Sequence, residues 1–452
     1  MRKLVWALFA VLCLATALPA WANTREVLPT GTAIDIQSVR AAIASAQPGD
    51  VILLRAGTFD WSGNSVAMPP FVIPFGLPID VSGITITGEI APNGELLTSL
   101  VGPVDGNGLP QLYPGPFVTN AAFVNAPGVT GVTIQNLILR NFEQAIGLIQ
   151  TRDMNLANVF VPGGDFSAGA DDFVIQNCQI ANSRIGVSGL GANDRLIVRN
   201  NSIQIVTTGG LFLSVGGLIS NATAIGNLSQ APQVADAPSD LVIENNVLSG
   251  PGPDLDVLRR PNNTTVSLFT LGIGVQGASG ARIEGNTIEG FSRGIAVAAE
   301  GAVRITRNAV THCQNGLALL DRSNSSIPAG GTAGALIRNN RFTRTVFRAP
   351  RADATPNLTA SGSGIVVDAD NNRFVGNNIE LNEVAGISLV GDATTRPDRT
   401  ATGNLILGNN NVVVGSDYVL TNNTISGSNR SLLNVGQGVG RLLDEIGPPV
   451  FQ

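Results

Sequence analysis

The stretch Ala281–Ile288 reads ARIEGNTI, an alternating apolar run followed by Asn, one residue of any kind and an apolar residue. The same unit recurs as RLIVRNNSI (Arg195–Ile203), LVIENNVL (Leu241–Leu248), VRITRNAV (Val303–Val310), ALIRNNRF (Ala335–Phe342) and RFVGNNIE (Arg373–Glu380). A second phrase often follows, a short strand opened by glycine: GIAV from Gly294, GLAL from Gly316, GIVV from Gly364 and GISL from Gly386. Period-two alternation in runs this short marks strands. Regular recurrence marks a solenoid, one long body rather than several globules.

Aligned on Asn-x-apolar, the copies place Asn136, Asn158, Asn201, Asn246, Asn286, Asn308, Asn340, Asn377 and Asn410 in one column, with Cys178 taking that place in FVIQNCQI. Separations of 22 (136 to 158), 20 (158 to 178), 23 (178 to 201) and 22 (286 to 308) give a coil of three short strands and three turns. Longer gaps, such as 201 to 246 and 340 to 377, are one coil with an inserted loop or two coils with one degenerate member. A propeller blade needs about 40 residues and a leucine-rich repeat needs a leucine framework. A parallel β-helix remains, an all-β solenoid. Its asparagines stand at a bend, where stacked amides satisfy turn backbone groups otherwise left unpaired. They read as a structural ladder, not as a binding site.

The chain divides into an export signal (1–22), an N-terminal cap with the first coil (23–60), the β-helix with inserted loops (61–440) and a tail (441–452). Arg2 and Lys3 precede the apolar run Leu4–Leu18, and Ala20-Trp21-Ala22 fits a small-x-small cleavage site, so the mature chain is expected to begin at Asn23 in the periplasm or outside the cell. The run is short for a membrane span, and no transmembrane segment is expected after cleavage. A short amphipathic helix within Thr30–Ala46, capped by Asp35 or Ser38, covers the open apolar end of the first coil. Without the signal there is no lysine, and 25 arginines stand against 33 carboxylates, a net charge of −8. That balance argues against a nucleic-acid partner. Cys178 and Cys313, several repeats apart, are expected as buried free thiols, and the protein as a monomer.

The opening IQSVRAAIASAQPGDVILLRAGTF (Ile36–Phe59) and the Asn-bearing repeats from about Val129 to Ile425 resemble the right-handed parallel β-helix superfamily, the pectin-lyase-like fold. The resemblance implies a right-handed coil with an N-terminal capping helix. It implies an exported protein acting on an acidic polysaccharide, as a lyase or glycoside hydrolase, or alternatively a non-catalytic glycan-binding, surface or adhesive protein. It matches no one enzyme family. Asp171-Asp172 echoes the Asp pair of polygalacturonase-like hydrolases, but their Gly-His-Gly and Arg-Ile-Lys motifs are missing, as is the Asp-Pro-His-Asp of alginate epimerases. A lysine base is excluded, because the mature chain has no lysine.

Candidate chemistry sits elsewhere. Six residues beyond each opening glycine lie Glu300, Arg322, Asp370 and Asp392, with Asp321 and Asp368 close by. Equal offsets stack on one side of a solenoid, so these residues would line one edge. Two coils span about 9.6 Å, within reach of an acid–base pair for glycoside chemistry. Asp368 and Asp370 would also suit Ca²⁺, the one candidate cofactor. His312, the sole histidine, lies on or near a turn and is a candidate base. Arg259 and Arg260 in one insertion, and Arg348 and Arg351 in another, are candidate grips for uronate or sulfate groups. Each of these positions also reads simply as a solvated edge or loop. Trp61, Tyr113 and Tyr418 are the only large polar aromatics after the signal, a scarcity that weighs against strong stacking on sugars.

Overall fold

The computed structural model describes residues 22–62, 66–68, 71–73, 76–111, 120–126, 128–149, 170–190, 193–206, 214–221, 239–252, 257–259, 265–267, 269–276, 278, 280–298, 302–319, 334–346, 362–367, 372–383, 385–390, 405–407, 424–426 and 430–435. Three parallel sheets, of twelve, eleven and eleven strands, run the length of the molecule. Each coil contributes one strand to each sheet in turn, as in Thr133–Gln135, Ile138–Arg140 and Gln144–Ile149. Neighbours in every sheet come from successive coils, so each strand pairs with its counterpart one turn away. We call the three the first, second and third sheets, in chain order within a coil. The first complete coil runs from Val51–Leu54 through Gly57–Asp60 to Leu77–Ile79.

Alternation in the short strands sends every second residue inward. Ile134, Ile175, Val198, Ile243, Ile283, Ile305, Ile337 and Phe374 from the first sheet share one continuous core with Leu139, Ile180, Ile203, Leu248, Ile288, Val310, Phe342 and Ile379 from the second. The two sheets meet at a two-residue bend. Its first residue takes a left-handed backbone: Asn136, Asn177, Asn200, Asn245, Gly285, Arg307, Asn339 and Gly376 all have φ between 53° and 67°. Asparagine and glycine are the residues that adopt this conformation at least cost, which explains the Asn-Asn pairs of the repeat.

The second residue of the bend forms the ladder. Asn201, Asn246, Asn286, Asn308, Asn340 and Asn377 are buried. From Asn201 to Asn340, each donates both its backbone N–H and its Nδ2 to the Oδ1 of the next asparagine at 2.9–3.0 Å. Each of the six also donates Nδ2 to a first-sheet carbonyl. Cys178 holds this place one coil earlier, its N–H donating to Asn201 Oδ1 at 2.9 Å. Asn136 does not belong to the column. The register pairs Gln135 with Gln176, which aligns Asn136 with the left-handed Asn177 and leaves Leu137 opposite Cys178. The same pairing joins the coils at 136 and 177 directly, so no coil is centred on 158. The gap of 41 is one coil carrying residues 150–173 between its third-sheet strand and the next first-sheet strand. The gaps 201 to 246 and 340 to 377 are likewise single coils. Asn158 and Asn410 lie outside the described residues.

At the N-terminal end, the helix Ile34–Ala44 buries Ile36, Val39 and Ile43 over the first coil. Its cap differs from the sequence expectation. Ala33 is the N-cap, with no side-chain hydrogen bond, and Ser38 Oγ donates back to the Ile34 carbonyl. Asp35 is fully buried within the first turn and accepts from Thr30 N and Oγ1, Gly31 N and Asp60 N at 2.7–3.0 Å, tying the incoming chain and the first coil to the helix. Burial works to raise its pKa, but these hydrogen bonds outweigh it and hold the carboxyl below its usual range. The stability it contributes is therefore present above the unfolded-state pKa and lost as pH falls through the lower folded-state value. Asp35→Ala is expected to cost about 2–4 kcal/mol in urea unfolding, through donors left unpaired, whereas Ser38→Ala should stay within about 0.5 kcal/mol.

Cys178 and Cys313 are buried free thiols, each pushed up to about 12 by burial. Trp61 is no sugar platform. It is fully buried, donates Nε1 to the Ala122 carbonyl at 3.1 Å and meets Phe123 edge-on. Among the described residues no helix is long and apolar enough to cross a membrane.

Candidate functional site

The bends decide where long segments leave the solenoid. Between the first and second sheets the bend keeps to two residues in every coil from Thr133–Gln135 to Asn378–Glu380. Nearer the two ends of the solenoid this connection lengthens, at 89–97 and 408–423, whereas in the central coils longer segments join the second sheet to the third, the full set being 61–76, 102–120, 206–213, 250–268 and 344–362. Others join the third sheet to the first, at 150–173, 222–240, 320–335 and 391–404. The third sheet is thus bordered by insertions along both of its edges.

Its inward residues, among them Ile146, Val187, Ile273, Ile295, Leu317 and Ile365, belong to the main core. Its other face carries two rows in register. One runs Gln144, Ile185, Gly216, Leu271, Arg293, Asn315 and Ser363. The other runs Gly147, Ser188, Ile219, Gly274, Ala296, Ala318 and Val366. Ala296, Ala318 and Val366 are buried in a small cluster of their own with Leu271, separate from the core. The second strand position is small for a different reason. A Cβ on Gly316 would lie 2.5 Å from the Gly364 carbonyl and 2.9 Å from Phe342, so glycine is required where the second and third sheets converge.

Buried polar groups gather where the second sheet gives way to the third. Glu143 and Arg184 occupy equivalent bend positions in adjacent coils, since Arg184 N–H donates to the Phe142 carbonyl and Ile185 N–H to that of Glu143. Arg184 Nη1 donates to Glu143 Oε1 at 3.0 Å, and both side chains are nearly inaccessible. Glu143 Oε2 is buried with no hydrogen-bond partner. Burial, opposed only in part by Arg184, raises the Glu143 carboxyl to about 7, and burial lowers the Arg184 guanidinium to about 10. Gln144 Nε2 donates to Ser188 Oγ on the neighbouring strand. Further along the same edge, Thr270 and Ser292 join through their hydroxyls at 3.1 Å. Burial pulls Arg293, on the outer row, down to about 10. A carboxyl that titrates near neutrality is equipped to give or take a proton, and arginines beside it suit anionic groups.

Glu300, Asp321, Arg322, Asp368, Asp370, Asp392, Arg260, Arg348 and Arg351 lie outside the described residues. The strands that precede the acids are in register, with Ile295, Leu317, Ile365 and Ile387 as successive partners. Gly294, Gly316, Gly364 and Gly386 are therefore equivalent, and an offset counted from them compares like with like. Arg259 ends the strand Val257–Arg259, which pairs antiparallel with Thr265–Ser267 in a hairpin linking the second sheet to the third. His312 is exposed at a left-handed bend position (φ 50°), its Nδ1 3.2 Å from Thr311 Oγ1. It is a turn residue beside the buried Cys313. Asp172 takes the left-handed place in the bend from the third sheet to the first and pairs with Arg195 through both carboxylate oxygens. Among the described residues no three His, Cys, Asp or Glu side chains converge as metal ligands.

Sequence reasoning passed over Glu143, Arg184, Gln144 and Ser188. Their signal was the parallel between NFEQ (Asn141–Gln144) and NSRI (Asn182–Ile185), 41 residues apart. A 22-residue period for this region hid it.

Residues 260–441 match the family model for a right handed beta helix region. No curated protein matches the chain in sequence. Among solved structures, the alginate lyase from Paenibacillus sp. str. FPU-7 is similar at 14% identity, over 92% of this chain and 98% of its own, with a TM-score of 0.43. The catalytic unit of the thermostable GH87 alpha-1,3-glucanase from Streptomyces thermodiastaticus strain HF3-3 shares 14% identity over 94% of this chain and 70% of its own, with a TM-score of 0.49. The periplasmic alginate epimerase AlgG shares 14% over 91% and 84%, with a TM-score of 0.45. At these identities and scores the likenesses assign no activity and no site residue. By its three wound parallel sheets and its matched region, the chain is a right-handed parallel β-helix protein.

Proposed function

We propose that this protein is exported and acts on a linear acidic polysaccharide, as a lyase or glycoside hydrolase, along the outer face of the third sheet. The observation that carries the reading is the placement of the insertions. They border that one sheet on both sides, and the ladder bend between the other two stays short through the central coils. An elongated face walled by loops suits an extended polymer, and binding residues concentrate on loops held by a rigid scaffold. The buried Glu143–Arg184 pair and Arg293 add a near-neutral acid and cations at this sheet. Glu300, Asp321, Asp370 and Asp392 follow its strands in the sequence and are the first acid–base candidates, with Arg322 among them. Calcium held by Asp368 and Asp370 is part of the proposal. The named activities of the structures of similar fold set the polymers to be screened, alginate and α-glucan first.

Export carries its own expectation at the start of the fold. Cleavage after Ala22 makes Asn23 the first residue, and its nitrogen lies 3.0 Å from Oδ1 of the buried Asp50, which also accepts from Arg25 Nε. A terminal ammonium there forms a charge-assisted hydrogen bond. N-terminal sequencing of protein recovered outside the cytoplasm is expected to begin Asn-Thr-Arg.

The activity test is a screen of the processed protein against acidic and neutral polysaccharides, with and without calcium. Absorbance at 235 nm and reducing ends are read together. A rise in both on an acidic polymer is the lyase result, and reducing ends alone is the hydrolase result. Silence across the panel rejects the enzyme and leaves a glycan-binding or adhesive solenoid.

A further inference from the structure

On three coils, five exposed arginines gather around the ladder bend, with a sixth, Arg344, at the far end of the second-sheet strand. They are Arg304 and Arg307, then Arg338, Arg341 and Arg344, then Arg373. The register places them. Arg304, Leu336 and Arg373 are successive partners on the outer side of the first sheet, with Arg338 two residues along, opposite Thr306. Arg307 takes the left-handed place in the bend, and its N–H donates to the Arg338 carbonyl. Arg341 opens the next second-sheet strand, opposite Ala309, and Arg344 stands in the left-handed position that ends it. Adjacent coils are about 4.8 Å apart, and alternate residues of one strand about 6.6 Å. Five of these cations therefore lie within one or two side-chain lengths of another.

This cluster is unusual because the chain as a whole is acidic, with a net charge of −6. One coil away on the first sheet, Arg282 is neutralised, pairing with Glu244 at 2.9 Å and Glu284 at 3.1 Å, and within the cluster Arg307 pairs with Glu284. Among the described residues Arg304, Arg338, Arg341, Arg344 and Arg373 have no carboxylate within ion-pair distance. The carboxylates closest in register are Glu284, opposite Thr306 and already held by Arg282 and Arg307, and Glu380, opposite Thr343. Among the described residues these five guanidinium groups have no counter-charge, and at the spacing of a sheet they create a local positive field.

We propose that this face is a second, non-catalytic docking surface for an acidic polysaccharide. The coil spacing is close to the rise of one pyranose along an extended chain, so successive uronate carboxylates can meet arginines of successive coils. Guanidinium forks bind carboxylates bidentately. The face offers no platform for nucleic-acid bases, since Phe342 and Phe374, the aromatics of these strands, are buried in the core. Apart from Arg344, which opens the 344–362 segment, these arginines flank the bend between the first and second sheets and not the third, so a polymer held there does not occupy the proposed site of action. The inference stands without that site being catalytic.

The test compares the full processed protein with a variant carrying R304Q, R338Q, R341Q, R344Q and R373Q, all at exposed positions where folding is expected to be kept. Circular dichroism and the thermal midpoint check this. Binding to alginate, to polygalacturonate, to neutral dextran and to duplex DNA is measured by affinity electrophoresis at several salt concentrations. The expected result is retardation by the uronate polymers alone, weakening with salt, with the folded variant binding at least tenfold more weakly. Cleavage of short oligosaccharides, if the screen finds any, is expected to be equal in both. Unchanged uronate binding by the variant overturns the proposal, as does an absence of uronate binding in the wild type. Tighter retention by DNA than by polyuronate at equal salt overturns the choice of partner. If the variant unfolds, R304Q/R373Q and R341Q/R344Q are measured separately, and each is expected to weaken uronate binding.

Discussion

Asn308→Ala is expected to destabilise the solenoid by about 3–5 kcal/mol, among the largest effects of any single change in the chain. Its Oδ1 accepts both the backbone N–H and the Nδ2 of Asn286, and its Nδ2 donates to the Ile283 carbonyl and to Asn340 Oδ1. All of these atoms are buried, and alanine leaves donors and an acceptor on two neighbouring coils without partners. Asn308→Asp keeps the acceptor but loses the donor and brings in a buried charge, so it should be at least as damaging. Asn339 is the contrast. It stands one residue before the ladder, exposed, with φ 55°. Asn339→Gly suits that backbone and is expected to stay within about 1 kcal/mol of wild type. Urea unfolding followed by circular dichroism separates the two. Because each coil touches only its neighbours, a broadened transition for Asn308→Ala would show coils uncoupling. Equal stability of the two variants would refute the ladder as a stabilising element.

Arg184→Met is expected to cost about 3–5 kcal/mol, with a dependence on pH that marks its cause. Removing the arginine strands Glu143 as an unpaired buried acid. In the wild type, burial already raises the Glu143 carboxyl from 4.5 to about 7. The folded state therefore binds this proton more tightly than the unfolded chain does. Its contribution to stability is full below the unfolded-state pKa and declines as pH rises from about 4.5 through about 7. Without Arg184 the carboxyl loses its one cation and titrates higher still, so the penalty should be smaller at pH 5 than at pH 8. The double variant E143L/R184M buries no charge and is expected to recover most of the lost stability and to flatten the pH profile. Denaturant midpoints at several pH values check this. A penalty for Arg184→Met that does not vary with pH would mean that its packing, not its charge, is what Glu143 needs.

The fold was open to reading because its determinants are local and repeated. ARIEGNTI, GIAV and their copies carry the alternation, the bend and the glycine in adjacent residues, and each copy repeats the message. The ladder from Asn201 to Asn377 follows from the same signal. The first regular coils were harder, because TIQNLIL (Thr133–Leu139) has leucine where later coils have the ladder asparagine. Its sole asparagine is the left-handed bend residue, and aligning on it shifted the register by one. Asp35 was misread as a cap because its ligands come from Thr30, Gly31 and Asp60, one of them 25 residues away. The burial of Trp61 is not legible locally, because no local pattern shows that Ala122, from the next coil, receives its N–H. The Glu143–Arg184 pair needs the true length of one coil before its members become neighbours. The strands that precede the acids are in register, and the equal offsets of the acids from their glycines were legible in the sequence.

Hydrogen exchange of the processed protein with and without a bound acidic oligosaccharide tests the central claim most directly. The ligand should be too short to span to the arginine face. The expected result is slowed exchange in peptides from the two borders of the third sheet, 250–268 and 344–362 on one side and 320–335 and 391–404 on the other. Peptides covering Arg338–Phe342 should not change. Binding that protects neither border, or protects the arginine face alone, would contradict the placement of the site on the third sheet.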